Sequence, residues 1–103
     1  MKFYCSKEFT GATAWESLPV ARFDNTTVKL HWTDQPYKWH INDGQEVFAV
    51  MDGCVEMLYK ENGEVKSKTL HTGDIFYASE GTEHVAHPQG VARVLVIEKE
   101  GSV

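Results

Sequence analysis

Glycines recur from position 44 onward at intervals of eight to ten residues, and this spacing admits only short secondary-structure elements between them. Most of these glycines stand beside Asp, Asn, Thr or Glu, which favour turns. The residues between them are rich in β-branched and aromatic types, and helices of ordinary length have no room there. The pattern is typical of an all-β sandwich or barrel. The glycines concerned are Gly44, Gly53, Gly63, Gly73, Gly81 and Gly90.

Strands are expected between these turns. The dipeptide Asn62-Gly63 predicts a type I′ hairpin, because both central residues of that turn need positive φ. Before residue 25 the pattern is weak, and we expect a short helical turn over Ala14–Leu18, ended by Pro19, followed by a strand over Val20–Phe23. Val94–Ile97 should be a strand paired on both sides. The predicted strands are "TVKLHWT", "QEVFAVMD", "CVEMLYKE", "EVKSKTL", "DIFYASE", "EHVAH" and "ARVLVIEK".

Length and charge narrow the class of protein. The 103 residues predict a single domain, 1–103, and a hydrophobic content of 42% is enough for a core. The net charge is -5, with no run of basic residues, so nucleic acid is not an expected partner. No apolar stretch approaches a membrane span, and the start of the chain is charged where a signal peptide is apolar, which predicts a cytoplasmic protein. Cys5 and Cys54 should be free thiols.

His40, Asn42 and Glu46 form the first cluster with possible chemistry. Side chains alternate between the faces of a strand, so His40 and Asn42 share a face. Glu46 returns to that face if Asp43-Gly44 turns the chain into the next strand. Beyond Glu46 the same face is apolar, which is the pattern of a barrel interior with a polar mouth.

His84 follows a second predicted turn and could join this cluster. Two neutral imidazoles and one carboxylate, from His40, His84 and Glu46, would form the facial arrangement that iron(II) uses and that zinc, manganese and nickel accept. Asn42 could add an amide oxygen. The residues alone leave an alternative open, because histidine and glutamate also occur as simple hydrogen-bonded pairs.

The remaining polar candidates are predicted to lie elsewhere. His87 belongs to the opposite face of its strand, unless a bulge turns it inward, and His31 shares an outward face with a lysine and a threonine. His71 should be solvated, and Glu83 should face outward. His31 and Tyr37 are the polar candidates nearest the mouth for a proton acceptor. The aromatic residues that could shape a pocket, or simply fill the core, are Trp32, Tyr37, Trp39, Phe48, Phe76 and Tyr77.

Two sequence motifs resemble those of the cupin superfamily, in its small single-domain form. The first motif usually reads G-x5-H-x-H-x3,4-E-x6-G. This chain has Asp34 for the first glycine, then His40, Asn42 in place of the second histidine, Glu46 and Gly53.

The second motif usually reads G-x5-P-x-G-x2-H-x3-N. Here it runs Gly73, Ser79 for the proline, Gly81, His84, and Pro88 for the asparagine. The two motifs stand in order and at the expected separation.

The resemblance covers residues from about 26 to 98 and implies a single antiparallel jelly-roll barrel with a weakly patterned N-terminal segment. The superfamily's usual metal site is three histidines and a glutamate. Carried over to this chain, it implies a divalent ion (Fe, Mn, Zn or Ni) held by His40, Glu46 and His84, with Asn42 in the place of the missing histidine. An amide oxygen is a weaker and harder ligand than imidazole, so metal affinity should fall.

The implied function is a metal-binding small cupin that binds or acts on a small molecule in the barrel mouth, with isomerase-type or dioxygenase-type chemistry. An alternative is a sensor or storage module that binds a ligand or metal without turnover, which the missing histidine would permit. A third is a metal-free barrel in which His40 and Glu46 only form a hydrogen-bonded pair. Edge strands and the N-terminal segment predict a homodimer.

Overall fold

The computed structural model describes residues 1–102, and strands make up most of this part of the chain. Each segment that the sequence predicted as a strand after residue 25 contains one. Asn62 and Gly63 both have positive φ, 53° and 77°, which confirms the predicted hairpin. Within residues 1–102, a 3-10 helix at Ser6–Glu8 precedes nine strands. They are β1 Glu16–Phe23, β2 Thr26–Thr33, β3 His40–Ile41, β4 Glu46–Asp52, β5 Cys54–Glu61, β6 Glu64–His71, β7 Ile75–Ala78, β8 Glu83–Pro88 and β9 Ala92–Lys99.

The strands form two antiparallel sheets packed face to face. Sheet A has the order β1-β2-β9-β4-β7, and sheet B has the order β3-β8-β5-β6. This confirms the all-β jelly-roll prediction. Strand β9 pairs with β2 on one side and β4 on the other, so Val94–Ile97 lies inside sheet A as predicted. No helix within residues 1–102 has the length and apolarity to cross a bilayer.

The core lies between the two sheets and follows from the two-residue alternation of strands. Phe48 and Val50 on β4 face Val55 and Met57 on β5, and each of these side chains is at most 3% exposed. Burial of side chains of this size contributes roughly 1.5–3 kcal/mol each. The apolar core therefore holds the sheets together at one end of the sandwich, which leaves the other end free to carry polar groups.

The prediction of a helical turn over Ala14–Leu18 is wrong, because β1 already begins at Glu16. Pro19 lies inside this strand and pairs opposite Lys29. The register shifts between Pro19 and Ala21, and no other strand of the described chain pairs with the outer side of β1. An edge strand with a bulge tolerates proline, since the missing N–H is not needed by the ladder.

Residues 1–11 lie across the outer face of sheet A. The guanidinium of Arg93 on β9 donates to the carbonyl oxygen of Phe9 at 2.7 Å and binds the Asp52 carboxylate at 2.6 Å. Tyr4 lies in one surface groove with Val28, which is 8% exposed. The outer face of β2 can therefore be apolar, and the polar residues of β2 lie on its inner face, between the sheets.

Gly53 connects β4 of sheet A to β5 of sheet B in a conformation that favours glycine. Its φ is +96°, and a Cβ there would lie 2.6 Å from the carbonyl oxygen of Val91. Gly73 has almost the same φ, +94°, but a Cβ there would meet nothing within 4 Å. The two glycines thus differ in the space around them and not in their backbone strain.

We expect Gly53→Ala to lower the free energy of unfolding more than Gly73→Ala does. The positive φ alone costs about 1–2 kcal/mol in each variant, and the contact with Val91 adds about 1–3 kcal/mol for Gly53→Ala. Urea unfolding of both variants beside the wild type measures the difference. Equal losses would contradict this account of Gly53.

Candidate metal centre

His40, Glu46 and His84 come together between the two sheets at the polar end of the sandwich. The Nε2 atom of His84 lies 3.1 Å from Oε1 of Glu46, and Nε2 of His40 lies 4.0 Å from the same oxygen. One potential ligand atom from each residue lies within 4.8 Å of the others. This group could hold a metal ion.

Both sheets contribute to this cluster. His40 on β3 and His84 on β8 are direct partners in sheet B, with ring centroids 4.2 Å apart, whereas Glu46 begins β4 in sheet A. The Asp43-Gly44 turn therefore carries the chain from one sheet to the other and does not form a hairpin. The backbone N–H of Asn42 donates to Thr82, and that of Gly81 donates to Asn42, which holds this crossing against the turn before β8.

His40 is oriented by the backbone. Its Nδ1–H donates to the carbonyl oxygen of Lys38 at 3.0 Å, which leaves the lone pair on Nε2, the atom nearer Glu46. Burial lowers the pKa of His40, so the ring is neutral at pH 7. A lone pair and a carboxylate oxygen then lie on the same side of the cluster, and both are acceptors. A cation bound by both groups satisfies them, which is the arrangement expected of a metal ligand.

His84 is almost completely buried, at 1% exposed, and only one of its two ring nitrogens has a hydrogen-bond partner within residues 1–102. Nε2 contacts Glu46, while Nδ1 has no hydrogen-bond partner within residues 1–102. An unpaired buried polar atom costs about 1–3 kcal/mol. The only hydrogen bond of this ring within residues 1–102 goes to Glu46, so Nε2 is the His84 atom that faces the cluster.

The side chain of Asn42, the fourth predicted ligand, contacts β7. Its side chain is buried, and Nδ2 is directed to the carbonyl oxygen of Ala78 at 3.5 Å. Asn42 is not among the residues that line the cavity beside the cluster. The structure thus brings together three of the four predicted ligands and places the Asn42 amide against β7.

A cavity of about 160 Å³ adjoins the cluster, and Tyr37 lies at its edge against His40, with ring centroids 5.3 Å apart. His31 also lines it, so the prediction of an outward face for His31 is wrong. The reason is the N-terminal segment, which covers the apolar face of β2 and turns its polar face inward. The Nδ1–H of His31 donates to the Trp15 carbonyl oxygen at 3.3 Å, and burial lowers the pKa of His31.

The sequence reasoning missed two charged residues in this cavity, Lys29 and Glu98. Glu98 is the direct partner of Glu46 across β4 and β9. Burial, and next the charge of Glu46, raise the pKa of Glu98 to about 7. Strand alternation could have found Glu98, because it shares its face with Val94 and Val96 of the core. Its place among charged residues at the end of the strand suggested a solvated position instead.

The other candidates lie outside the cavity. Glu83 binds Lys60 at 3.1 Å on the surface, and His71 is exposed. His87 has the same parity as Glu83 on β8 and does not line the cavity, in agreement with the predicted opposite face. Of the aromatic residues, Tyr37 and Phe48 line the cavity, Phe76 packs against the core, Trp32 is partly buried on the outer face of sheet A, and Trp39 and Tyr77 are exposed.

Comparison with known proteins shows the fold and little beyond it. No family model matches the chain, and a search of curated proteins finds no match. Solved structures do match. A cupin-2 domain protein from Shewanella frigidimarina is 23% identical over 91% of this chain and 87% of its own, with a TM-score of 0.77. The protein TT1209 from Thermus thermophilus is 20% identical over 97% of this chain and 98% of its own, with a TM-score of 0.79.

An enzyme is also among the similar structures. Hydroxypropylphosphonic acid epoxidase from S. wedmorenis is 16% identical over 80% of this chain and 49% of its own, with a TM-score of 0.70. The enzyme has also been solved in an Fe(II) form. At these identities the likeness extends to the fold, and the chemistry of this chain must be argued from its own residues.

The raised pKa of Glu98 predicts a pH dependence of stability in the metal-free protein. Between about pH 4.5 and 7 the folded carboxyl keeps a proton that the unfolded chain loses, so the free energy of unfolding falls as the pH rises through this window. Glu98→Gln should remove this decrease in the free energy of unfolding. The variant should therefore be more stable than the wild type at pH 8. We expect a difference of about 1 kcal/mol, because water reaches part of the carboxyl.

Urea unfolding of chelator-treated wild type and Glu98→Gln at pH 5 and pH 8 measures this difference. Glu100→Gln is a suitable control, since Glu100 lies on the surface, paired with Arg22. A Glu98→Gln protein with the same pH dependence as the wild type would contradict the assignment.

Proposed function

Since the chain has the fold of a small cupin domain, we propose that it binds a divalent metal ion at His40, Glu46 and His84 and a small molecule in the adjoining cavity. The observation that carries this proposal is the direction of the His40 ring. Its Nδ1–H is committed to Lys38, so Nε2 offers a lone pair toward the Glu46 carboxylate, and a cation satisfies both.

The ligand set of two imidazoles and one carboxylate suits iron(II), manganese, zinc or nickel. Three protein ligands leave coordination positions open for a substrate oxygen or water. When bound, such an ion supplies Lewis-acid polarisation of a substrate oxygen or activation of water or dioxygen. Isomerase-type and oxygenase-type reactions are both compatible with this site.

The chain's own residues supply the rest of the site. Trp15 and Tyr37 pack edge to face at 5.1 Å between ring centroids and cover the cavity beside His40. The Nδ1–H of His31 donates to the Trp15 carbonyl oxygen. The lone pair is therefore on Nε2, which can accept a proton in the cavity. A neutral imidazole in the same cavity as the residues that would hold the ion favours turnover over the alternative, a module that binds a ligand without reaction.

Elemental mass spectrometry of the purified, untagged protein tests the metal site. We expect close to one metal ion per chain in the wild type, and its loss in His40→Ala and Glu46→Gln, since each substitution removes one of only three ligands. Asn42→Ala should keep the metal, because the Asn42 amide is directed to Ala78 and not to the cluster.

His71→Ala is the matched control, since His71 is an exposed histidine on β6. Circular dichroism of every variant separates loss of the site from loss of the fold. Wild-type protein that remains free of metal after reconstitution with each of the four metals would overturn the proposal. Metal retained in both His40→Ala and Glu46→Gln would overturn this ligand set.

We also propose that the protein is a homodimer. β7 is an edge strand of sheet A, and Ile75 and Tyr77 on it are 66% and 56% exposed, beside Met51 at 40%. Exposed apolar residues on an unpaired edge favour association with a second copy. Sedimentation velocity should show a dimer for the wild type and a shift toward monomer for Ile75→Lys. A monomeric wild type would contradict this prediction.

A further inference from the structure

Lys29 is a charged residue of the cavity that the proposed metal site does not use. It lies on the inner face of β2 opposite Val96 of β9, is half-buried, and lines the cavity. His31, two residues further along the same face of β2, and Glu98 on β9 line the same cavity.

The Lys29 ammonium has no ion-pair partner in the described part of the chain. Within residues 1–102, no carboxylate oxygen lies within 4.0 Å of its Nζ. Two surface lysines do have such partners, with Lys60 at 3.1 Å from Glu83 and Lys66 at 2.8 Å from Glu61. A half-buried ammonium group that no carboxylate within residues 1–102 pairs with is available to a ligand that supplies the opposite charge.

We propose that Lys29 binds the carboxylate of a small organic acid whose other end, an oxygen function, reaches the His40–Glu46–His84 centre. This inference rests on the proposed function, because that centre holds the far end of the molecule. It adds the class of molecule that the cavity accepts.

The charge balance of the cavity favours an anion. With a divalent ion bound and the histidines neutral, the positive charges of the ion and Lys29 exceed the negative charges of Glu46 and Glu98, even when both carboxyls are ionised. An anionic ligand neutralises the remaining charge in a partly enclosed space, where electrostatic interactions are stronger than in water. Lysine provides a single compact charge, which one carboxylate satisfies.

The size and lining of the cavity define the rest of the molecule. A volume of about 160 Å³ is close to that of an engineered cavity of about 150 Å³ that binds benzene, so the ligand has about ten non-hydrogen atoms or fewer. Lys29 on β2 and Glu46 on β4 are separated by β9, which is about 10 Å between backbones. Val96, Phe48 and Ala86 line the space between. The acid should therefore have an apolar middle and oxygen functions at both ends.

Isothermal titration calorimetry of the metal-loaded protein with succinate and glutarate, each beside its monoamide, tests this inference. A monoamide has only one carboxylate, which can meet Lys29 or the metal centre but not both, so one of the two positive groups meets a neutral amide. For at least one of the two acids, we expect the wild type to bind the acid about tenfold or more tightly than the monoamide. Lys29→Met should abolish this preference with the metal content unchanged, and Lys29→Arg should retain most of it.

Lys68→Met is the matched control, because Lys68 is a strand lysine that lines a different groove. Its preference for the acid should equal that of the wild type. A loaded wild type with no preference for either acid, including one that binds neither, would overturn the inference about Lys29 alone. So would a preference that survives in Lys29→Met. A protein that takes up no metal would overturn the proposed function and this inference with it.

Discussion

The buried carboxylate of Glu46 is the constraint on which the rest of the site depends. Glu46 is 6% exposed and continues the inward-facing row of Phe48 and Val50, so it must be compensated from the opposite sheet. The partner that reaches it is His84, at 3.1 Å. This contact joins sheet A to sheet B across the polar end, while the apolar core joins them at the other end. The cavity lies between these two attachments.

Much of this arrangement could be predicted from the sequence. Strand alternation and turn preferences are reliable where one face of a strand meets the core and the other meets solvent. Strand alternation placed His40 and Glu46 on inward faces, and Asn62-Gly63 specified its turn without help from distant residues. The same rule failed for His31, since it assumes that a polar face is a solvated face. Residues 1–11 cover the outer side of β2, and nothing in the strand itself indicates that cover. Pro19 was misplaced for a similar reason, because only the sheet order shows that β1 is an edge.

Asn42 illustrates the limit of a motif match. Its position corresponds to a histidine of the superfamily's usual metal site, and the resemblance therefore implied a fourth ligand. The structure directs its amide to the Ala78 carbonyl oxygen, and its backbone holds the chain where it passes between the sheets. The residue at this motif position thus holds the chain where it crosses between the sheets. Glu98 shows the converse, since it lies outside both motifs and is the direct neighbour of Glu46.

The attachment of the N-terminal segment to Arg93 bears on the order in which the chain can fold. Phe9 and Arg93 are 84 positions apart, and β2 pairs with β9 along its whole length. Contacts of such separation close large loops, and chains dominated by them fold slowly. The inward direction of Lys29 and His31 depends on these long-range contacts. We therefore expect the cavity to be assembled after the β5–β6 hairpin, whose partners are close in sequence.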